Sequence, residues 1–228
     1  MGNRDTESGA LRLWEAGELP FCREEILRYA RFSGTITPEG LPLEACIAEV
    51  GDRIRCRCLW KIYPVKKISG PDPDKKMNPE EQFSANQDSV LDLGFVRTDN
   101  PALIRFLEGC ENLVLFAMTA GLEMDRIIVR GMRQSPVRGL LLHAIGAERV
   151  ETACDAFESY LAAHVTGYRS RGRFSPGYGG VSLEMQRDIF RTLECEKRLG
   201  LYLDPETLLM TPAKSVTAIV GLRKAEQD

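Results

Sequence analysis

Histidine is nearly missing from this sequence, with only His143 and His164 among 228 residues. A histidine-rich metal centre or a Ser-His-Asp triad therefore has little to draw on. Aromatic residues are sparse at 7%, and neither sign of charge dominates, with 30 Lys and Arg against 33 Asp and Glu for a formal net charge of −3. Nucleic acids and anionic membranes both select a clustered positive field, so the balance argues against a general binder of either and leaves only local patches. Long apolar runs are also lacking. Stretches such as Leu113 to Met118 fall far below the ~18 residues of a membrane-spanning helix, and Met1 to Ala10 is polar and mixed in charge, unlike a secretory leader. The expected location is cytoplasmic.

Several signatures of common chemistry are absent as well. There is no GxxxxGK[ST] phosphate loop, no GxSxG elbow, no HExxH helix and no strand-linked GxGxxG. The seven cysteines, Cys22, Cys46, Cys56, Cys58, Cys110, Cys154 and Cys195, are odd in number, scattered and without a CxxC pair, as expected of reduced thiols rather than a disulfide framework. Cys56 and Cys58 share one face of a strand. They read as small core residues, a metal role needing a distant third ligand.

What is present is ordinary globular composition, 43% apolar, in a chain long enough to bury a core without staples. Residues 1 to 20 read as a weakly structured lead-in, and Phe21 to Phe32 as a short helix ended by Gly34, Pro38, Gly40 and Pro42. Ile54 to Ile62 alternates apolar and mostly basic residues, the pattern of a half-buried strand. Ser69 to Asn86, with three prolines and several charges, reads as a loop insertion. A strand is expected near Ser89 to Val96, a short helix from Asn100-Pro101 to Gly109, and a fully buried strand at Leu113 to Met118. From Leu140 the apolar positions Ala144, Ala147, Val150, Cys154, Phe157, Leu161 and Val165 recur in steps of three and four, a long amphipathic helix with Asp155 beside its stripe. His143 and His164 fall on that helix and read as surface or packing residues. The glycines and proline of residues 167 to 180 predict a loop, Ser182 to Gly200 a helix and Ser215 to Leu222 a strand, before a polar tail over 224 to 228. This irregular mixture predicts an α+β fold with a twisted, mainly antiparallel β-sheet and flanking helices, a single unit over 21 to 223.

The segment most able to carry chemistry is Arg173-Phe174-Ser175-Pro176-Gly177-Tyr178-Gly179-Gly180. Proline presets φ and glycine allows positive φ, so Pro176-Gly177 forms a tight turn that lets a ligand approach backbone. Arg173 can fork onto a carboxylate, and Tyr178 can offer its ring to a cation. A plain connecting turn is the alternative. Arg169, Arg171 and Arg173 can meet phosphate or form a solvated loop, and no aromatic platform points to RNA.

Four ordered segments resemble the activation domain of cobalamin-dependent methionine synthase, in particular its stand-alone bacterial versions: Arg173 to Gly179; Leu183 to Phe190 running on to Cys195 to Leu201; Pro205 to Met210; and Pro212 to Leu222. Leu115 to Arg126 and Ala153 to Phe157 fit the same family. The resemblance implies that family's fold and a domain that binds S-adenosylmethionine through Arg173, Ser175, Pro176, Gly177, Tyr178 and Asp155. It also implies a role in reductive methylation of oxidised cobalamin, with the cobalamin carried by a partner methionine synthase core or corrinoid protein. Electrons would come from a donor such as flavodoxin or ferredoxin. A docking module that no longer uses S-adenosylmethionine is the alternative. On either reading the chain is an accessory subunit with no catalytic residues or metal of its own.

Overall fold

The computed structural model describes residues 9–31, 40–69 and 90–225. Five strands, β1 (Arg12–Glu15), β2 (Arg57–Pro64), β6 (Asn112–Thr119), β10 (Ser215–Lys224) and β7 (Tyr168–Phe174), lie side by side in that order, and every neighbouring pair is antiparallel. A small sheet of β3 (Lys66–Ser69), β4 (Val90–Asp92) and β5 (Arg97–Thr98) and a pair β8 (Tyr202–Leu203) with β9 (Met210–Thr211) complete the strands among the described residues.

The central strand β6 explains the layering. Val114, Phe116 and Met118 face one core, while Leu113, Leu115 and Ala117 face a second, so both faces of the sheet must be covered. Helices α1 (Arg23–Ala30), α2 (Leu43–Val50), α4 (Leu122–Gln134) and α5 (Pro136–His164) cover the first face. Helices α3 (Pro101–Phe106), α6 (Met185–Leu193) and α7 (Cys195–Leu199) cover the second. The architecture is therefore α+β with a mainly antiparallel sheet, as its sequence pattern predicts. Among the described residues no helix is long and apolar enough to cross a membrane.

Helix α5 organises the first core. Pro136 opens it, where a missing N–H costs nothing, and Phe157 collects the rings of Trp14, Trp60 and Phe116 at centroid distances of 5.4, 5.8 and 5.2 Å. Gly131 and Gly139 let α4 and α5 pack closely, since a Cβ at Gly131 would lie 2.2 Å from Leu142 Cδ1 and one at Gly139 would lie 2.4 Å from Met132 Cγ.

Four expectations change. Within the lead-in expected to be weakly structured, Arg12 to Glu15 is a regular strand that pairs with β2, and Trp14 reaches the Phe157 cluster. The mostly basic face expected of β2 is partly covered, because Leu59 on it is buried in the second core. Residues 168 to 174 form strand β7 rather than a loop. The helix expected from Ser182 to Gly200 is broken at Glu194, whose φ of 51° is left-handed and divides α6 from α7. The predicted insertion at 69 to 86 falls, beyond Ser69, outside the described residues. Of the polar tail, Lys224 closes β10 and residues 226 to 228 lie outside them.

Candidate functional site: an acidic shelf and a turn at the end of β7

Strand β7 is an edge strand, and a register shift positions its one consequential side chain. Residues two apart on a strand normally share a face. Between the pairs Val220↔Arg173 and Leu222↔Ser170, however, the ladder slips, and Gly172 within the slip has a φ of +82°. Such a bulge moves every later residue to the opposite face. Arg171 accordingly donates to the Glu108 carbonyl at 2.8 Å on the α3 side, while Arg173 turns toward α5. The predicted basic cluster Arg169, Arg171 and Arg173 is thus divided between two faces.

On α5, Glu151, Asp155 and Glu158 follow one another at steps of four and three, the spacing of a single helical stripe. Arg173 reaches all three. Its Nη2 donates to Glu151 at 2.8 Å, and its Nη1 donates to Asp155 at 2.7 Å and to Glu158. Partial burial works against the guanidinium charge, but the bonds to Asp155 and Glu158 outweigh it, and the net effect raises its pKa. Three carboxylates on one cation leave an excess of negative charge on a partly open surface, where the Asp155 side chain is 72% exposed. The sequence singled out Asp155 and Arg173 and missed Glu151 and Glu158. Their spacing from Asp155 was the available signal, but the partner cation lies on a strand whose bulge periodicity does not reveal.

Immediately after Arg173 the chain turns. Tyr178 N–H donates to the Ser175 carbonyl at 3.3 Å across Pro176 and Gly177, and Gly177 has a φ of +91°, the position that admits glycine in a type II turn. Gly177 N–H donates to Val181 O and Val181 N–H to Tyr178 O, both at 2.9 Å, so the loop is locked on itself. Pro176 is buried beneath the turn and Tyr178 projects into solvent. Gly179 packs closely, its missing Cβ only 2.8 Å from Ala102 Cβ, and Asn100 Nδ2 donates to its carbonyl at 3.5 Å. The amides of Gly179 and Gly180, both at positive φ, make no hydrogen bond among the described residues and stand beside Tyr178. Ser175, Pro176, Gly177 and Tyr178 thus follow Arg173 directly in the chain, but the turn packs against α3 through Gly179, whereas Arg173 and Asp155 meet on the α5 face.

The other candidates fall elsewhere. Cys56 and Cys58 are buried in the first core, and burial pushes the Cys56 thiol up to about 12 and the Cys58 thiol well above the ordinary thiol value. Such thiols stay protonated, a poor state for ligating metal. His164 stacks on Tyr160 with ring centroids 4.1 Å apart at the end of α5. His143 meets Lys214, whose Nζ lies 2.9 Å from its Nδ1.

The fold defined by this geometry is an antiparallel five-stranded sheet covered on both faces, with a half-open acidic cluster beside its edge strand. No family model and no curated protein matches the chain. Among solved structures it is similar to the crystal structure of the MetH reactivation domain bound to AdoHcy, with a TM-score of 0.54 and 16% identity, covering 98% of this chain and 81% of that one. At that identity the likeness shows a shared fold.

Proposed function

We propose that this chain is a reactivation module that binds S-adenosylmethionine at the shelf and turn and supports reductive methylation of cob(II)alamin on a partner methionine synthase core or corrinoid protein. One juxtaposition carries the reading. In a fold like that of the MetH reactivation domain bound to AdoHcy, β7 delivers Arg173 onto three carboxylates and then turns directly into an exposed tyrosine and two unbonded glycine amides. S-adenosylmethionine carries a sulfonium, an ammonium and a carboxylate, hence a net positive charge, and meets a surface with surplus negative charge. Asp155 accepts from the ammonium or the ribose hydroxyls, and Tyr178 presents a ring face to the cation.

Arg173 takes a different part from the one its isolated sequence suggests. Both its terminal nitrogens are occupied by carboxylates, so it acts as the organiser of the shelf. The ligand carboxylate falls to the Gly179 and Gly180 amides, a concavity suited to anions. The cobalamin belongs to the partner, and an electron donor such as flavodoxin or ferredoxin reduces it. The methyl group for the reduced cobalt comes from the bound sulfonium.

The occupation of Arg173 also favours a second reading, a docking module that keeps the fold without using S-adenosylmethionine. Calorimetric titration separates the two. Saturable heat with S-adenosylmethionine, lost in Arg173→Ala, supports the first; no heat supports the second. The fuller test mixes the protein with an oxidised corrinoid protein and a low-potential reductant and follows methylcobalamin formation in the visible spectrum. An unchanged rate with and without the protein rejects a role in reactivation.

A further inference from the structure

On the sheet face that carries α4 and α5, away from the shelf, three chemically able side chains converge. Lys214 is only 8% exposed, lying just ahead of β10, and its stem occupies the space that Gly146 leaves open on α5, where a Cβ would sit 3.0 Å from Lys214 Cγ. Met124 borders the same space. The Lys214 backbone is fixed, since its carbonyl accepts from Ala120 N–H at 2.9 Å. Its Nζ lies 2.9 Å from His143 Nδ1, on a residue that is itself exposed. Asp125 on α4 completes the group. One of its carboxylate oxygens accepts from Ala213 N–H at 2.9 Å, and the other is buried without a hydrogen-bond partner.

This is an unusual place for an ammonium. A buried lysine is normally paired with a carboxylate at contact distance, whereas this one meets another base. We propose that Lys214, with His143 and Asp125, is a carbonyl-binding amine centre that condenses reversibly with a small aldehyde to form an imine. The Nζ lone pair bonds to the carbonyl carbon as the C=O pair moves to oxygen. His143 Nδ1 takes the proton from the resulting ammonium and passes it to the alkoxide, and a second proton, drawn from solvent, lets the hydroxyl leave as water while the nitrogen lone pair forms the C=N bond. The net change is amine plus aldehyde plus a proton giving protonated imine plus water, with no oxidant or reductant. Asp125 supplies the negative charge that offsets the iminium, and its unpartnered oxygen is the acceptor available for it.

The protonation states fit the scheme. Burial lowers the Lys214 pKa to about 8, with Asp125 opposing, and burial and then the Lys214 charge lower that of His143. The groups facing the amine are His143 from α5 and Asp125 from α4. A lysine with a pKa of about 8 is roughly a quarter neutral at pH 7.5, against on the order of 0.1% for an ordinary one.

The test is competitive reductive alkylation of the intact wild-type protein with propionaldehyde and cyanoborohydride at pH 7.5, read by peptide mass spectrometry. Lys61, Lys66, Lys67, Lys197 and Lys224 serve as internal references. Lys214 is expected to be modified at least 10-fold faster than any of them. His143→Gln should slow modification of Lys214 several-fold while leaving the reference lysines unchanged. Modification of Lys214 at or below the rate of the references overturns the proposal. Fast modification that His143→Gln does not slow overturns the assigned role of the histidine.

Discussion

Two arginine–carboxylate clusters sit within three turns of each other on α5, and they behave as opposites. Glu148 and Arg149 pair at 2.6 Å with side chains 1% and 7% exposed, and each of their side-chain nitrogen and oxygen atoms has a hydrogen-bond partner. Arg149 donates to the Leu19 and Pro20 carbonyls at 2.7 and 2.6 Å and lies 3.9 Å from the Phe21 ring centroid. Glu148 accepts from Cys22 N–H and Thr152 Oγ1, both at 3.0 Å. That cluster is neutral and closed, and it clamps the segment ahead of α1 onto the core. The Arg173 cluster is charged in excess and open, with Asp155 largely in solvent. The same pair of residue types therefore makes a structural lock where charge balances and an open, negatively charged surface where it does not, the surface proposed above to meet S-adenosylmethionine.

The sharpest way to break this comparison is to truncate the lock. Glu148→Ala leaves Arg149 buried without its carboxylate, a change that costs about 3–5 kcal/mol. For a chain of this length each kcal/mol shifts the melting temperature by about 2–4 °C, so a fall of roughly 6–20 °C is expected in a calorimetric scan. Affinity for S-adenosylmethionine, measured well below the transition, should stay within about twofold. A stable Glu148→Ala variant with altered binding would invert the assignment of the two clusters.

Next in size is Arg173→Ala. It leaves three carboxylates facing one another without a counter-charge, and the half-open setting limits the stability loss to about 1–2 kcal/mol. Binding should suffer more, by 10-fold or greater, since repulsion disperses the shelf. Gly172→Ala tests the same point through the backbone. No atom obstructs the new methyl, so the cost is the left-handed φ alone, about 1–2 kcal/mol, and any relaxation of the bulge carries Arg173 away from α5. Ligand affinity should fall in parallel with stability. Unchanged binding in a destabilised Gly172→Ala protein would show that the bulge does not place the site.

The bulge also marks where the sequence stops being readable. The continuous apolar run of β6 and the three-and-four stripe of α5 were legible because burial imposes a period on the residues themselves. Asp155 and the Pro176-Gly177 turn were legible for similar local reasons. Strand β7 was not, because Gly167 and Gly172 suggest a loop when they in fact flank and bend a strand whose partner, β10, lies some fifty residues on. Trp14 likewise gave no local sign that it would cross to Phe157 and draw β1 into the sheet. Glu151 and Glu158 look like ordinary solvated charges until a cation from another element meets them.

A smaller effect is expected from Asp155→Asn. An exposed ion pair contributes about 0–1 kcal/mol, and asparagine keeps the shape, so the melting temperature should move by no more than a few degrees. Affinity for S-adenosylmethionine should nevertheless drop by roughly 3- to 10-fold, with a shallower dependence on salt, because one carboxylate of the shelf has lost its charge. Equal affinity and an unchanged salt slope would show that Asp155 merely decorates Arg173.

The smallest expected effect belongs to Tyr178→Ala, and it distinguishes shelf from turn. The ring is 72% exposed, and the turn is held by backbone bonds that the substitution leaves in place, so stability should change by no more than about 0.5 kcal/mol. If the ring meets the ligand cation at this exposed position, its removal is worth about 0.5–1 kcal/mol, a two- to fivefold loss of affinity for S-adenosylmethionine. The thioether product lacks the sulfonium, so its affinity should fall less. Equal losses for the two ligands would point to stacking on the adenine, which they share, and no loss for either would leave recognition to the carboxylates of α5 alone.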